Sequence, residues 1–241
     1  MLTALTALFS IFKLGKVGVT GLSMILSMAV YASIWGWTFA AGFVALLFAH
    51  EMGHVWAARL RGLPVSAPAF VPFLGAFITM KEMPADVETE ADVAIFGPLV
   101  GTLAAFAVYF WALAEDSTLL MAVAYSGFFL NLFNLLPVSP LDGGRITAVL
   151  GPRMWLVGLP LLLGLFLVRP SATLVIIAVM AAPQFMQAWR YDPQAPENLA
   201  YYGVPRQVKF EFIVMYLGLA VVLAIMTDSV HTLLEGVRLA R

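Results

Sequence analysis

Apolar stretches long enough to cross a bilayer recur along almost the whole chain, and this recurrence limits the possible folds more than any other feature. A helix rising about 1.5 Å per residue needs roughly 20 such residues to cross about 30 Å of hydrocarbon. Segments 17–34, 37–60, 92–113, 118–136, 154–168, 171–189 and 209–227 meet or approach that length, the fifth being short and interrupted by Gly158 and Pro160. Of the 241 residues, 62% are hydrophobic and 11% charged, whereas a soluble domain carries about 25% charged residues. Such a chain cannot cover itself with water-compatible groups. It reads as an all-α polytopic membrane protein of about six to seven transmembrane helices, with the lipid bilayer as a partner.

The distribution of Lys and Arg supplies an orientation. With the amino terminus inside, Lys13, Lys16, Arg59, Arg61, Lys81, Arg145, Arg153, Arg190, Arg206 and Lys209 fall on the inner side, and Arg169, Arg238 and Arg241 on the outer. Residues 1–16 read as an interfacial segment, because Leu2, Leu5, Leu8, Phe9 and Phe12 precede Lys13 and Lys16, the reverse of the order in a signal peptide. Residues 17–189 form an embedded core, 190–208 a polar inner loop too short to fold alone, and 209–241 a last helix and tail. A formal net charge of −1 without a basic cluster argues against nucleic acid as a partner. The absence of cysteine removes disulfides, thiolate ligands and thiol nucleophiles. No sequence signal indicates an oligomeric state.

Residues 62–80 are apolar but carry Pro64, Pro68, Pro72 and Gly75, and each proline lacks a backbone donor and disfavours helix at the residue before it. Non-helical backbone within a bilayer is tolerated where it is buried in protein or lines a wet cavity, so this segment reads as a re-entrant or edge-strand element beside an internal site. The alternative is a loop lying on the headgroups.

Within the second span stands His50-Glu51-Met52-Gly53-His54. Two histidines four apart on a helix share a face and can bind one zinc ion, while the intervening glutamate can act as general base toward the attacking water. Placing three ionisable groups in five residues of a span is costly, which itself points to function; the alternative is interhelical hydrogen bonding. A catalytic zinc usually takes three protein ligands. Cysteine is absent, and the remaining histidine, His231, lies near the carboxyl terminus on the outer side, so the third ligand is expected to be a carboxylate. The run Glu82, Asp86, Glu88, Glu90 and Asp92 reads as a solvated loop. Asp142 remains as the carboxylate set in apolar sequence on the inner side, where Pro137, Pro140, Gly143 and Gly144 break the helix. An Asp-Gly turn capping the next helix is the alternative.

These residues resemble the site-2 protease family of intramembrane zinc metalloproteases. The resemblance rests on the H-E-x-x-H motif and on N-x-x-P-x-x-P-x-D-G, here Asn134, Pro137, Pro140, Asp142 and Gly143, with Gly97-Pro98 similar to a further family signature. Gly97 and Gly101 also fit an ordinary small-residue packing face. The resemblance implies one Zn2+ per chain held by His50, His54 and Asp142, water activated by Glu51, and a transmembrane protein substrate cut within or near its membrane segment. It implies that Asn134 lies near the scissile carbonyl, where it would donate to an oxyanion; a hydrogen bond to Asn131, one turn away, is the alternative. It also implies an edge strand at Phe73, Leu74, Gly75, Ala76, Phe77 and Ile78 that pairs with unwound substrate. The site would open toward the inner face. A rival reading is a transporter or metal permease with a transient His/Asp cation site, for which a second broken-helix half is missing from the sequence.

Overall fold

The computed structural model describes residues 15–73, 75–78, 82 and 84–239. Most of them are helical: α1 (Gly15–Trp35), α2 (Trp37–Leu60), α3 (Val87–Ala114), α4 (Thr118–Asn134), α5 (Asp142–Thr147), α6 (Trp155–Val168), α7 (Ala172–Trp189), α8 (Pro196–Tyr202) and α9 (Arg206–Leu239). A hairpin of β1 (Ala69–Val71) and β2 (Gly75–Phe77) lies between α2 and α3. Among the described residues five helices are long and apolar enough to span a membrane: α1, α2, α3, α7 and α9; α4 and α6 are apolar but shorter. The chain is a multi-pass integral membrane protein. The interfacial segment expected at the amino terminus falls almost wholly outside the described residues.

Local chemistry sets the breaks. Gly36, at φ 84°, separates α1 from α2 in a left-handed conformation that side chains rarely adopt. Ser117 and Ser171 cap α4 and α7 by accepting from Leu120 N–H and Leu174 N–H at 3.3 Å each. Asp86 caps α3, accepting from Thr89 N–H at 2.7 Å, so the helix starts at Val87 and not at Asp92. The acidic run fits a solvated loop only at Glu82, exposed before the helix. Its members Glu88, Glu90 and Asp92 occupy the first turns of a helix, where negative charge is favourable.

Helix α3 is the hub. It packs against α2 on one side and α4 on the other, and also meets α5. The main core joins α3, α4, α5 and α9 through buried Ala91, Ala94, Ile95, Ala105, Phe128, Ile146 and Leu223. A second cluster joins α1 and α2 to the hairpin through Tyr31, Ala40, Val44, Leu47 and Phe70. Lipid-facing positions are apolar too, with Leu103, Phe110, Val179 and Ile225 exposed. Outward apolar surface is what a helix in hydrocarbon requires.

Candidate metal centre

His50, Glu51 and His54 project inward from α2 and are 3%, 4% and 4% exposed. Asp142 is brought to them because α4 ends at Asn134 and the proline-containing turn after it delivers the chain to α5, whose first residue is Asp142. The aspartate thus both opens a helix and faces the histidines. His50 Nε2 lies 3.1 Å from Asp142 Oδ2, His54 Nε2 lies 3.3 Å from Asp142 Oδ1, and the two Nε2 atoms are 3.1 Å apart. Tetrahedral donors at about 2.0–2.1 Å from a zinc ion stand about 3.3–3.4 Å from one another. With one donor atom taken from each residue the three lie within 4.8 Å of one another, close enough to hold a single ion. Asp142 Oδ2 and Glu51 Oε2 are also buried without a hydrogen-bond partner, an arrangement costly unless a ligand engages them. This trio is the group able to hold a metal among the described residues.

Both imidazoles are oriented by their other nitrogen. His54 Nδ1 meets the Val93 carbonyl at 2.8 Å; a carbonyl only accepts, so Nδ1 carries the proton and the Nε2 lone pair points into the site. His50 Nδ1 meets Asn131 Oδ1 at 2.8 Å, while the Asn131 amide donates to Gly127 O at 2.8 Å, which fixes the amide orientation and, with it, the same tautomer for His50. Such partners orient metal-binding histidines and raise their basicity. Sequence reading assigned Asn131 only a possible bond to Asn134. Instead Asn134 donates to Leu130 O in its own helix at 3.1 Å.

Three glycines allow this close approach. A Cβ on Gly53 would stand 2.3 Å from Phe96 O, one on Gly97 2.2 Å from His54 Nε2, and one on Gly101 2.3 Å from Asn131 Oδ1. Gly97 and Gly101 thus make room for the His54 ring and for the amide that holds His50. On α5, a Cβ on Gly143 would overlap Leu135 O, and the Trp155 indole N–H donates to Gly144 O at 2.8 Å.

The hairpin is antiparallel, with Ala69 opposite Phe77, Phe70 opposite Ala76 and Val71 opposite Gly75. The outer edge of β1 is satisfied by hydroxyls of α1. Thr20 donates to Pro68 O at 2.6 Å, Ser23 Oγ accepts from Phe70 N–H at 3.2 Å, and Tyr31 Oη accepts from Phe73 N–H at 2.9 Å. Ser27, on the same face of α1, is buried. Since Phe70 directs its N–H outward, its partner Ala76 directs its backbone groups to the opposite edge, that of β2. Among the described residues no strand pairs there. Phe73 stands in the turn at φ 65°, Ile78 follows β2, and Leu74 lies outside the described residues.

His231 lies on α9, paired with Glu235 at 3.3 Å and stacked on Tyr125. Toward the ends of the bundle, Arg61 pairs with Asp92. Arg145 Nε donates to Glu90 Oε1 at 3.1 Å, and the Tyr201 hydroxyl donates to Glu90 Oε2 at 2.7 Å. Burial, then the adjacent Glu90 carboxylate, holds the Tyr201 phenol well above the usual tyrosine range.

The model of peptidase family M50 matches residues 38–117, about a third of the chain. A zinc metalloprotease of Methanocaldococcus jannaschii is 30% identical over 126 residues, 50% of this chain and 36% of that relative's length. The chain thus aligns with little more than a third of the curated relative. The matched segment includes the helix that bears His50, Glu51 and His54 and the helix α3 whose Val93 carbonyl braces His54, and over this segment the chain is similar to peptidase family M50.

Proposed function

We propose that the protein is a zinc-dependent intramembrane endopeptidase that hydrolyses peptide bonds within or near the transmembrane segments of membrane-protein substrates. The observation that carries this reading is the buried cluster itself: two imidazoles of fixed tautomer and a carboxylate converge within 3.1–3.3 Å beside a buried glutamate with an unpartnered oxygen. His50, His54 and Asp142 would hold one zinc ion per chain. When bound, zinc supplies Lewis acidity that polarises the scissile carbonyl and acidifies water. Glu51 takes the proton of the attacking water and returns it to the leaving amine. Asn131 and the Val93 carbonyl keep both imidazole lone pairs directed into the site. Asn134 spends one amide hydrogen on Leu130 O and keeps the second for an oxyanion.

A helical substrate hides its peptide bonds, so cleavage requires local unwinding and new partners for the freed backbone. The outer edge of Gly75, Ala76 and Phe77 offers them by strand addition, with Phe73 and Ile78 flanking. The α1 hydroxyls already occupy the other edge, which supports pairing on β2. The distribution of Lys and Arg supports an amino terminus inside and a site open toward the inner face. The family match weighs against the permease reading.

The test compares wild type with Glu51→Gln in liposomes on a candidate transmembrane substrate, measuring bound zinc together with cleavage. Glu51→Gln keeps zinc and loses cleavage; Asp142→Ala loses both. Cleavage by Glu51→Gln, or a wild type that holds no zinc, overturns the reading.

A further inference from the structure

Asp142 begins a helix of six residues, too short to hold its own position. Its placement depends on what α5 is tied to. Ile146 packs it into the main core beside α3 and α9, and two further ties run to its own stretch of chain: the tight packing of Gly143 against the Leu135 carbonyl and the Trp155 bond to Gly144 O. A polar tie also crosses the molecule. Arg145, one turn after Asp142, donates to Glu90 on α3, and Glu90 lies one turn before Val93, whose carbonyl orients His54. The Arg145–Glu90 pair therefore joins the helix that bears one member of the cluster to the helix that braces another, a turn away from each. The second oxygen of Glu90 accepts from Tyr201 of α8, which fixes the carboxylate from its far side. Arg145 and Glu90 side chains are 19% and 20% exposed, more sheltered than a surface pair.

We propose that Glu90, Arg145 and Tyr201 are positioning residues that set the distance of Asp142 from His50 and His54, and that α8, outside the matched segment, thereby takes part in metal binding. This rests on reading His50, His54 and Asp142 as the metal centre. Ligand distances must hold to within about 0.2 Å, which the non-directional packing of a six-residue helix does not set by itself. Loss of an outer partner of a ligand typically lowers metal affinity about 10–100-fold. A pair that merely closes the end of the bundle would lower stability and leave the affinity of the folded protein unchanged.

The test uses the full chain in detergent. Zinc affinity is measured by competition with a chromophoric chelator, and thermal unfolding of the metal-free protein is followed in parallel. Glu90→Gln and Arg145→Ala should each weaken zinc binding about 10–100-fold, and the double variant should be no worse than the weaker single one. Arg145→Lys, which keeps a cation facing Glu90, should recover most of the loss. Tyr201→Phe removes one oxygen and leaves packing in place; it should weaken binding by about 10-fold, the low end of that range, and remains informative if the charge variants do not fold. Wild-type affinity in Tyr201→Phe, or single-variant losses that multiply in the double variant, overturns the proposal. Failure of the metal-centre reading looks different: the wild type itself binds no zinc, or Asp142→Ala binds it as tightly as wild type.

Discussion

Replacing Gly97 with alanine tests the site at a residue that contributes no functional group. The added Cβ would stand 2.2 Å from His54 Nε2 and 2.3 Å from Cε1, whereas ordinary contact begins near 3.4 Å. Ring or helix must therefore separate by about 1.2 Å. The ring cannot swing aside freely, because its Nδ1–H is held by Val93 O at 2.8 Å. A displacement of about 1.2 Å is roughly six times the tolerance of a zinc–ligand distance, so His54 is lost as a ligand and affinity should fall by at least about 100-fold, near 2.8 kcal/mol. Stability should change less. Overpacking costs about 1–3 kcal/mol, and alanine in a helix offsets about 0.5–1 kcal/mol of that relative to glycine. Chelator competition and thermal unfolding of the metal-free protein read the two effects separately. Gly21→Ala and Gly218→Ala, with nothing within 4 Å of the new methyl group, serve as controls and should match wild type. A Gly97→Ala protein that binds zinc as tightly as wild type would refute the geometry of the site.

Asn131→Ala removes the partner of His50 Nδ1 and should weaken zinc binding about 10–100-fold in the same assay, whereas Asn134→Ala, whose amide bonds within α4, should leave it unchanged while slowing cleavage. Alkaline titration followed by tyrosinate absorbance should show Tyr202, lifted by burial and then by Glu90 and Tyr191, ionising near pH about 12, and Tyr201 later still. Both shifts are upward, so their contribution to stability is complete below the ordinary tyrosine value of 10 and is lost as pH rises through the raised values. Tyr201→Phe should delete the latest-titrating step; its persistence would refute the Glu90 contact.

The sequence made the cluster legible because its chemistry is written in side chains that hydrocarbon does not tolerate without cause. His50, Glu51 and His54 stand together in one span, and Asp142 stands apart from the other carboxylates in a broken apolar stretch. What held them in place was hidden for a different reason. The partner of His54 is the Val93 carbonyl, a backbone atom that any residue supplies. The partner of His50 is Asn131, and choosing between it and Asn134, three residues apart, requires the rotation of α4 about its axis. Arg145 and Tyr201 lie 55 and 111 residues from Glu90, and the acidic run concealed Glu90 because its cap, Asp86, looked like one more loop charge. A re-entrant or edge-strand element was foreseen from Pro64, Pro68, Pro72 and Gly75, but its pairing as a hairpin was not, and which edge stays free depends on hydroxyls of a helix some forty residues earlier.

Those hydroxyls also make α1 a graduated scale for the hairpin. From Thr20 to Tyr31 a helix advances about 16.5 Å, and over this length α1 meets the hairpin at Pro68, at Phe70 and, in the turn, at Phe73. Sliding α1 by one turn, about 5.4 Å, would put every rung out of step together. Helix and hairpin are therefore geared: any axial or tilting movement of α1 in the bilayer must carry the free edge of β2 with it or release it all at once.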